Sequence, residues 1–292
     1  MTDAPRFQPL KDGYRVERAG KFALCVLLLG LGAGMSGPLS AEPADSQARD
    51  VCAGDHVCVA DDSTALAAWP VNRALQGPEQ SSADVGRAER CPTASADVMA
   101  GSPDQRHLAC SAVSDALQLL GRCAISPRRP LKLQIMNEVR NPIGAVIFGL
   151  FDPKRERILI THESNIPSLV RDTPYASLPL RDFYRSLIVH EVVHGVMHQN
   201  MKRPAETHAA YEYPAYALQI ESLAPNVRDA FLRSFDQTAI KADRLFSDPI
   251  LFFDPYFFAA RAYHHFKASA NSCTYLSGLV EGGVGFIAPS HL

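Results

Sequence analysis

The sequence predicts an α+β fold: one helix packed on a small, mostly antiparallel sheet, then a buried helix, then a helical C-terminal region. Three observations carry that expectation. Apolar residues recur at helical spacing between Leu108 and Leu120. Three short strand-like runs follow between Leu131 and Thr161. Residues 180–198 then read as a helix that is apolar on nearly every face, the pattern of a helix inside a core. A chain of 292 residues, 47% hydrophobic and 21% charged, has material for one large domain or two small ones.

The chain opens on a segment that reads as a signal peptide over residues 1–41. Arg15, Arg18 and Lys21 precede the apolar run Phe22 to Leu31, and small residues follow as far as Ala41. An apolar core of about ten to fourteen residues is short for a transmembrane helix. Cleavage near Ala41 is the expectation, with retention as an anchor the alternative and the one expected route to a membrane. The chain is thus expected to be secreted or periplasmic. Without Cys25, six cysteines remain: Cys52, Cys58, Cys91, Cys110, Cys123 and Cys273. An even number in an exported chain suggests disulfides, although six cysteines allow 15 pairings. The pairs expected are Cys52–Cys58, Cys110–Cys123 and Cys91–Cys273. Residues 42–100 are rich in Ala, Asp, Ser, Gly and Pro and read as loops held by disulfides, or as a removable pro-segment. Residues 101–292 then form the main domain.

Within that domain Ser102 fits an N-cap, Pro103 the first helical position and Gln105 the third, and Gly121 ends the helix. Leu131 to Val139, Ala145 to Phe151 and Arg157 to Thr161 read as strands. Asp152 to Glu156 has turn composition and joins the last two as a hairpin. The buried helix covers about Leu180 to His198, a second covers Pro204 to Leu223, and others cover Asn226 to Phe235 and Pro255 to Ala270.

The buried helix contains His190-Glu191-Val192-Val193-His194. Histidines at i and i+4 leave one helix face together and can reach a single Zn2+, with the Glu between them placed to act on a water. Phe183, Leu187, His190 and His194 form one stripe of this helix. Three polar groups inside a buried helix are costly unless something pairs with them, and a bound cation does so. A hydrolytic zinc site needs a third protein ligand. Position 200 is Asn and position 197 is Met, so the metzincin arrangement is absent. Glu212 is the leading third ligand, with Glu206 and His208 as alternatives. Glu212, Tyr216 and Gln219 share a helix face, so Tyr216 or Gln219 could orient the ligands.

With these residues the chain, from about Asp104 to Gln219, resembles the zincin metallopeptidases of the gluzincin type. Their pattern is His-Glu-x-x-His on one helix and a Glu ligand on the next. His190, Glu191, His194 and Glu212 match it; Tyr216 stands where thermolysin-like members carry an Asp. The resemblance implies a zincin-like fold, a zinc cofactor, and hydrolysis of a peptide or protein substrate with Glu191 as general base. It also implies an edge strand that pairs with extended substrate, either Ala145 to Phe151 or Arg157 to Thr161. A donor to the oxyanion is expected from Tyr216 or from Tyr263, His264 or His265.

A formal net charge of −2 and the absence of like-charge runs argue against nucleic acid as a partner. Two other readings compete with the peptidase. One is a zincin-fold binding module that holds metal without chemistry; the other is a disulfide-stabilised structural protein in which the motif is accidental and no metal binds. The aromatic group Phe252, Phe253, Tyr256, Phe257 and Phe258 reads as core.

Overall fold

A computed structural model describes residues 87–241, 246–268 and 272–282. The signal-peptide reading, most of residues 42–100 and the Cys52–Cys58 pair lie outside them. The strands are β1 (Glu89–Arg90), β2 (Ala96–Met99), β3 (Leu131–Met136), β4 (Val139–Arg140), β5 (Val146–Ile147), β6 (Gly149–Asp152) and β7 (Arg157–Thr161). The helices are α1 (Pro103–Gly121), α2 (Ile166–Val170), α3 (Leu180–Asn200), α4 (His208–Ser222), α5 (Pro225–Arg233), α6 (Gln237–Lys241), α7 (Asp248–Phe253), α8 (Pro255–Ala268) and α9 (Ser272–Glu281).

The fold is mixed α and β, but the sheet is not mostly antiparallel. Its order is β1-β2-β3-β7-β6, with β2, β3 and β7 parallel and only the two outer pairings antiparallel. The expectation failed because β2 was invisible. It is four residues long, and only its pairing with β3 makes it a strand. β2 and β3 are parallel because α1 carries the chain from one to the other as a crossover. The loop reading of residues 42–100 therefore gives way at their C-terminal end, where β1 and β2 join the sheet.

Local signals held well elsewhere. Ser102 caps α1, its Oγ accepting from Gln105 N–H at 3.2 Å, while Gln105 Oε1 accepts from Gly101 N–H. β6 and β7 form the expected hairpin, and Asp152 Oδ1 accepts from Lys154 N–H and Arg155 N–H in its turn. The expected strand from Leu131 to Val139 breaks after Met136, because β4 leaves to pair with β5 in a separate two-stranded ribbon.

Residues alternate across the sheet and so divide the interior. Leu131, Leu133, Ile135, Ile158 and Ile160 face a main core covered by α1 and α3, while Leu159 and Met136 face a small cluster with Val139 and Ile147 under the ribbon. α3 lies between α1, the sheet and α4, and α4 packs in turn on α8. Glu221, late in α4, holds Arg228 at 3.4 Å and Lys267 at 3.1 Å, tying α4 to α5 and α8.

The disulfides are Cys91–Cys110 and Cys123–Cys273, not Cys110–Cys123 and Cys91–Cys273. The reason lies in α1. Cys110 sits on its second turn, and Cys123 lies beyond its end, so the helix holds the two apart. Each finds instead the segment packed beside it, the β1–β2 loop and α9. Among the described residues no helix is long and apolar enough to cross a membrane.

Candidate metal centre

α3 is built to be buried on all sides. Val189, Val192, Val193 and Val196 are fully enclosed. Gly195 lets the helix settle on the sheet: a Cβ there would stand 3.3 Å from Leu131 Cδ2 and 3.4 Å from Ile158 Cδ1. His190 and His194 leave the helix one turn apart toward α4. Thr207 caps α4, its Oγ1 accepting from Ala210 N–H, and Asp248 Oδ1 accepts from Ala209 N–H at 2.7 Å. That fixes the helix whose face carries Glu212, Tyr216 and Gln219.

Three side chains meet between the helices. His190 Nε2 and His194 Nε2 are 3.1 Å apart, and Glu212 Oε2 lies 3.3 Å from the first and 3.5 Å from the second. They form a group that could hold a metal ion. Glu206, an alternative third ligand, is exposed before α4. His208, the other, pairs with Asp248 at 3.3 Å rather than joining the group.

His190 has a polar support. Its Nδ1–H donates to Gln219 Oε1 at 3.0 Å, Gln219 Nε2 reaches Ser186 Oγ at 3.4 Å, and Ser186 Oγ donates to Phe183 C=O at 2.7 Å. This chain leaves Nε2 of His190 facing His194 and Glu212. The Tyr216 ring meets His190 edge-on, with centroids 4.7 Å apart. His194 differs: its buried Nδ1 has no hydrogen-bond partner among the described residues, and Tyr211 stacks on its ring at 4.2 Å and 12°.

Glu191 points to the sheet. It is 9% exposed and accepts a hydrogen bond from the backbone of Phe151. Gly149 makes this approach possible, because a Cβ there would stand 2.9 Å from Glu191 Cγ and 3.0 Å from Leu159 C=O. Between the two candidate strands, β7 is internal, while β6 is an edge among the described residues. Thr161 N–H donates to Phe148 C=O at 2.8 Å, so by antiparallel alternation the main-chain groups of Gly149 and Phe151 face outward from β7.

Burial raises the Glu191 carboxyl above its ordinary value despite the two imidazoles. For Glu212 burial acts in the same sense, but His194 and His190 outweigh it and hold the carboxyl well below the usual range. Burial lowers His190, while Glu212 and Glu191 more than reverse this, so its imidazole holds a proton more tightly than usual. Two carboxylates and two imidazoles in one buried space make a strong demand for positive charge.

A cavity opens beside the group, walled by Phe148, Gly149, Tyr175, Leu251, Phe252 and Tyr256 as well as the site residues. Tyr216 lines it; Tyr263, His264 and His265 do not. α8 enters the cavity with its first turn, and residues 263–265 lie about 12 Å further along the helix. There Tyr263 packs against Arg228, and His265 bonds Tyr213 Oη at 2.7 Å. Phe252 and Tyr256, read as core from sequence, are cavity wall, whereas Phe258 is core. Tyr211 escaped the sequence reading altogether; its one signal is its place next to Glu212, one turn before Ala215 on a helix facing the motif.

Residues 96–289 match the model of a family described as a family of unknown function, DUF6639, and the chain belongs to that family. The match opens at the first residue of β2 and includes every residue of the group. No curated protein and no solved structure matches the chain.

Proposed function

We propose that the chain is an exported zinc-dependent metallopeptidase of the gluzincin type. The observation that carries this reading is the meeting of His190 Nε2, His194 Nε2 and Glu212 Oε2, with Glu191 beside them and a cavity in front. Ligand atoms about 2.0–2.1 Å from a tetrahedral zinc lie about 3.3 Å from one another. The three separations here, 3.1, 3.3 and 3.5 Å, suit that triangle. Three ligands rather than four among the described residues, next to a cavity, favour a catalytic site over a structural one. The two disulfides among the described residues support an oxidising compartment, as a secreted or periplasmic protein requires.

An ion held by these residues would acidify a water and polarise a carbonyl. The chain's own residues supply the rest. Glu191, anchored by Phe151 N–H and raised by burial, takes a proton from the attacking water and delivers it to the leaving amine. Tyr216 lines the cavity beside His190 and would donate to the developing oxyanion. The outward N–H and C=O of Gly149 and the C=O of Phe151, whose N–H is taken by Glu191, would pair with an extended peptide along the β6 edge.

The test is metal content and peptide cleavage by the full chain and by Glu191→Gln and Glu212→Ala. The proposal expects one zinc per chain, retained in Glu191→Gln with cleavage lost, and weakly held in Glu212→Ala. Zinc in the wild type without cleavage of a broad peptide library would favour a binding module; no zinc would sink both.

A further inference from the structure

The two histidines are held by different physics. His190 is fixed by direction: Gln219, itself held by Ser186, accepts from Nδ1–H and sets both tautomer and ring plane. Metal-bound histidines ordinarily have such an acceptor at the second nitrogen. His194 has none among the described residues, although its Nδ1 is buried. What touches its ring face is Tyr211, nearly parallel at 12° with centroids 4.2 Å apart. Tyr211 is the neighbour of Glu212 on the same helix, so its backbone is held wherever the carboxylate ligand is held.

We propose that the ring of Tyr211 is the positioning group of His194, a stacked plate doing for this ligand what the Gln219 amide does for His190. The inference rests on the reading of the group as a metal centre. A stacked face restrains tilt of the imidazole out of its plane and leaves rotation within that plane to the helix and to the ion. It needs aromatic area and not the phenol oxygen. The tyrosine hydroxyl is therefore dispensable for holding metal, and the ring is not. Glu212 and the Tyr211 ring move together with α4, so one helix placement sets both the third ligand and the plane of the second.

The test is Zn2+ and Co2+ affinity of the full chain, measured by competition with a chromophoric chelator, with the visible absorption of the Co2+ form as a reading of ligand geometry. Tyr211→Phe should bind as tightly as the wild type and keep its Co2+ spectrum. Tyr211→Leu and Tyr211→Met should each lose about 10–100-fold in affinity with an altered spectrum, the range seen when a ligand's supporting partner is removed, and Gln219→Leu should lose as much. Two non-aromatic variants keep the test open if one fails to fold. Equal affinity in Tyr211→Leu or Tyr211→Met and the wild type overturns the inference while leaving the metal centre standing. So does a loss in Tyr211→Phe as large as in the non-aromatic variants. A wild type that binds neither ion overturns both.

Discussion

The two sides of α3 solve the same problem in opposite ways. Toward the sheet and α1 the helix presents Val189, Val192, Val193 and Val196, all fully buried, and Gly195 at the closest approach. That side is held mainly by apolar packing, with the Arg185–Asp115 ion pair joining α3 to α1 at its margin. Toward α4 and the cavity it presents His190 and His194, with Glu191 turned to the β6 edge of the sheet where the cavity opens, each also at most 9% exposed. That side is stable only because most of its polar atoms meet a partner: Gln219, Glu212 or the backbone of Phe151. Burial by itself does not mark a structural residue. The mark of a site is polar burial that costs stability and gains chemistry.

Four substitutions test the contrast between the two sides. Under the proposed function the largest effect is expected from Glu191→Gln: a loss of about 10²–10⁴-fold in peptidase turnover. Its thermal midpoint should not fall, since a neutral amide spares the site a buried charge. A midpoint several degrees lower would mean that Glu191 is structural. Gly149→Ala comes next. The added carbon meets both Glu191 and the Leu159 carbonyl, so the base must shift. Turnover should fall at least about tenfold with zinc still bound, since even a small misplacement of a reacting group is costly. Unchanged turnover would show that the β6 contact does not position Glu191.

On the apolar side Val193→Ala should cost about 1–3 kcal/mol of stability in denaturant unfolding and leave metal affinity unaltered. Weaker metal binding there would mean that the two sides are coupled.

The smallest effect is on pH dependence. In the chelated chain the His190 proton, held above the ordinary 6.5, contributes stability that is complete below that value and lost as pH rises through the folded one. The Glu212 carboxylate, held below the ordinary 4.5, contributes stability present above that value and lost as pH falls through the folded one. The advantage of the wild type over Glu212→Gln in thermal midpoint should therefore be widest between about pH 4.5 and 6.5 and narrow on both sides. A flat difference would mean that no charged pair forms without the ion.

Part of the fold was legible along the chain and part was not. α1, β7, α3 and the β6–β7 hairpin rest on local signals: a cap at Ser102, apolar period, turn chemistry at Asp152. β2 rests on none, because four residues become a strand only when β3 lies beside them. The same division runs through the site. His190, Glu191 and His194 are neighbours on one helix, so their spacing alone brings them together. Glu212 was reachable because it is a carboxylate on the next helix, with enough chain between to bring that helix back beside the motif. Tyr211, Phe252 and Tyr256 reach the site from other elements, sheet order alone chose β6 over β7 as the edge, and His264 failed to reach the site because α8 runs past the cavity.

What the sequence determined by itself is therefore whatever helical and strand periodicity can express over a dozen residues: which segments are helices, which faces are apolar, and that two imidazoles and a carboxylate leave one turn together. What the tertiary structure decided is everything that depends on contacts between distant segments. It chose the mixed sheet over an antiparallel one, Cys91–Cys110 and Cys123–Cys273 over the alternative pairs, and Tyr211 as the ring against His194. Such contacts are set by packing in three dimensions, and spacing along the chain carries no record of them.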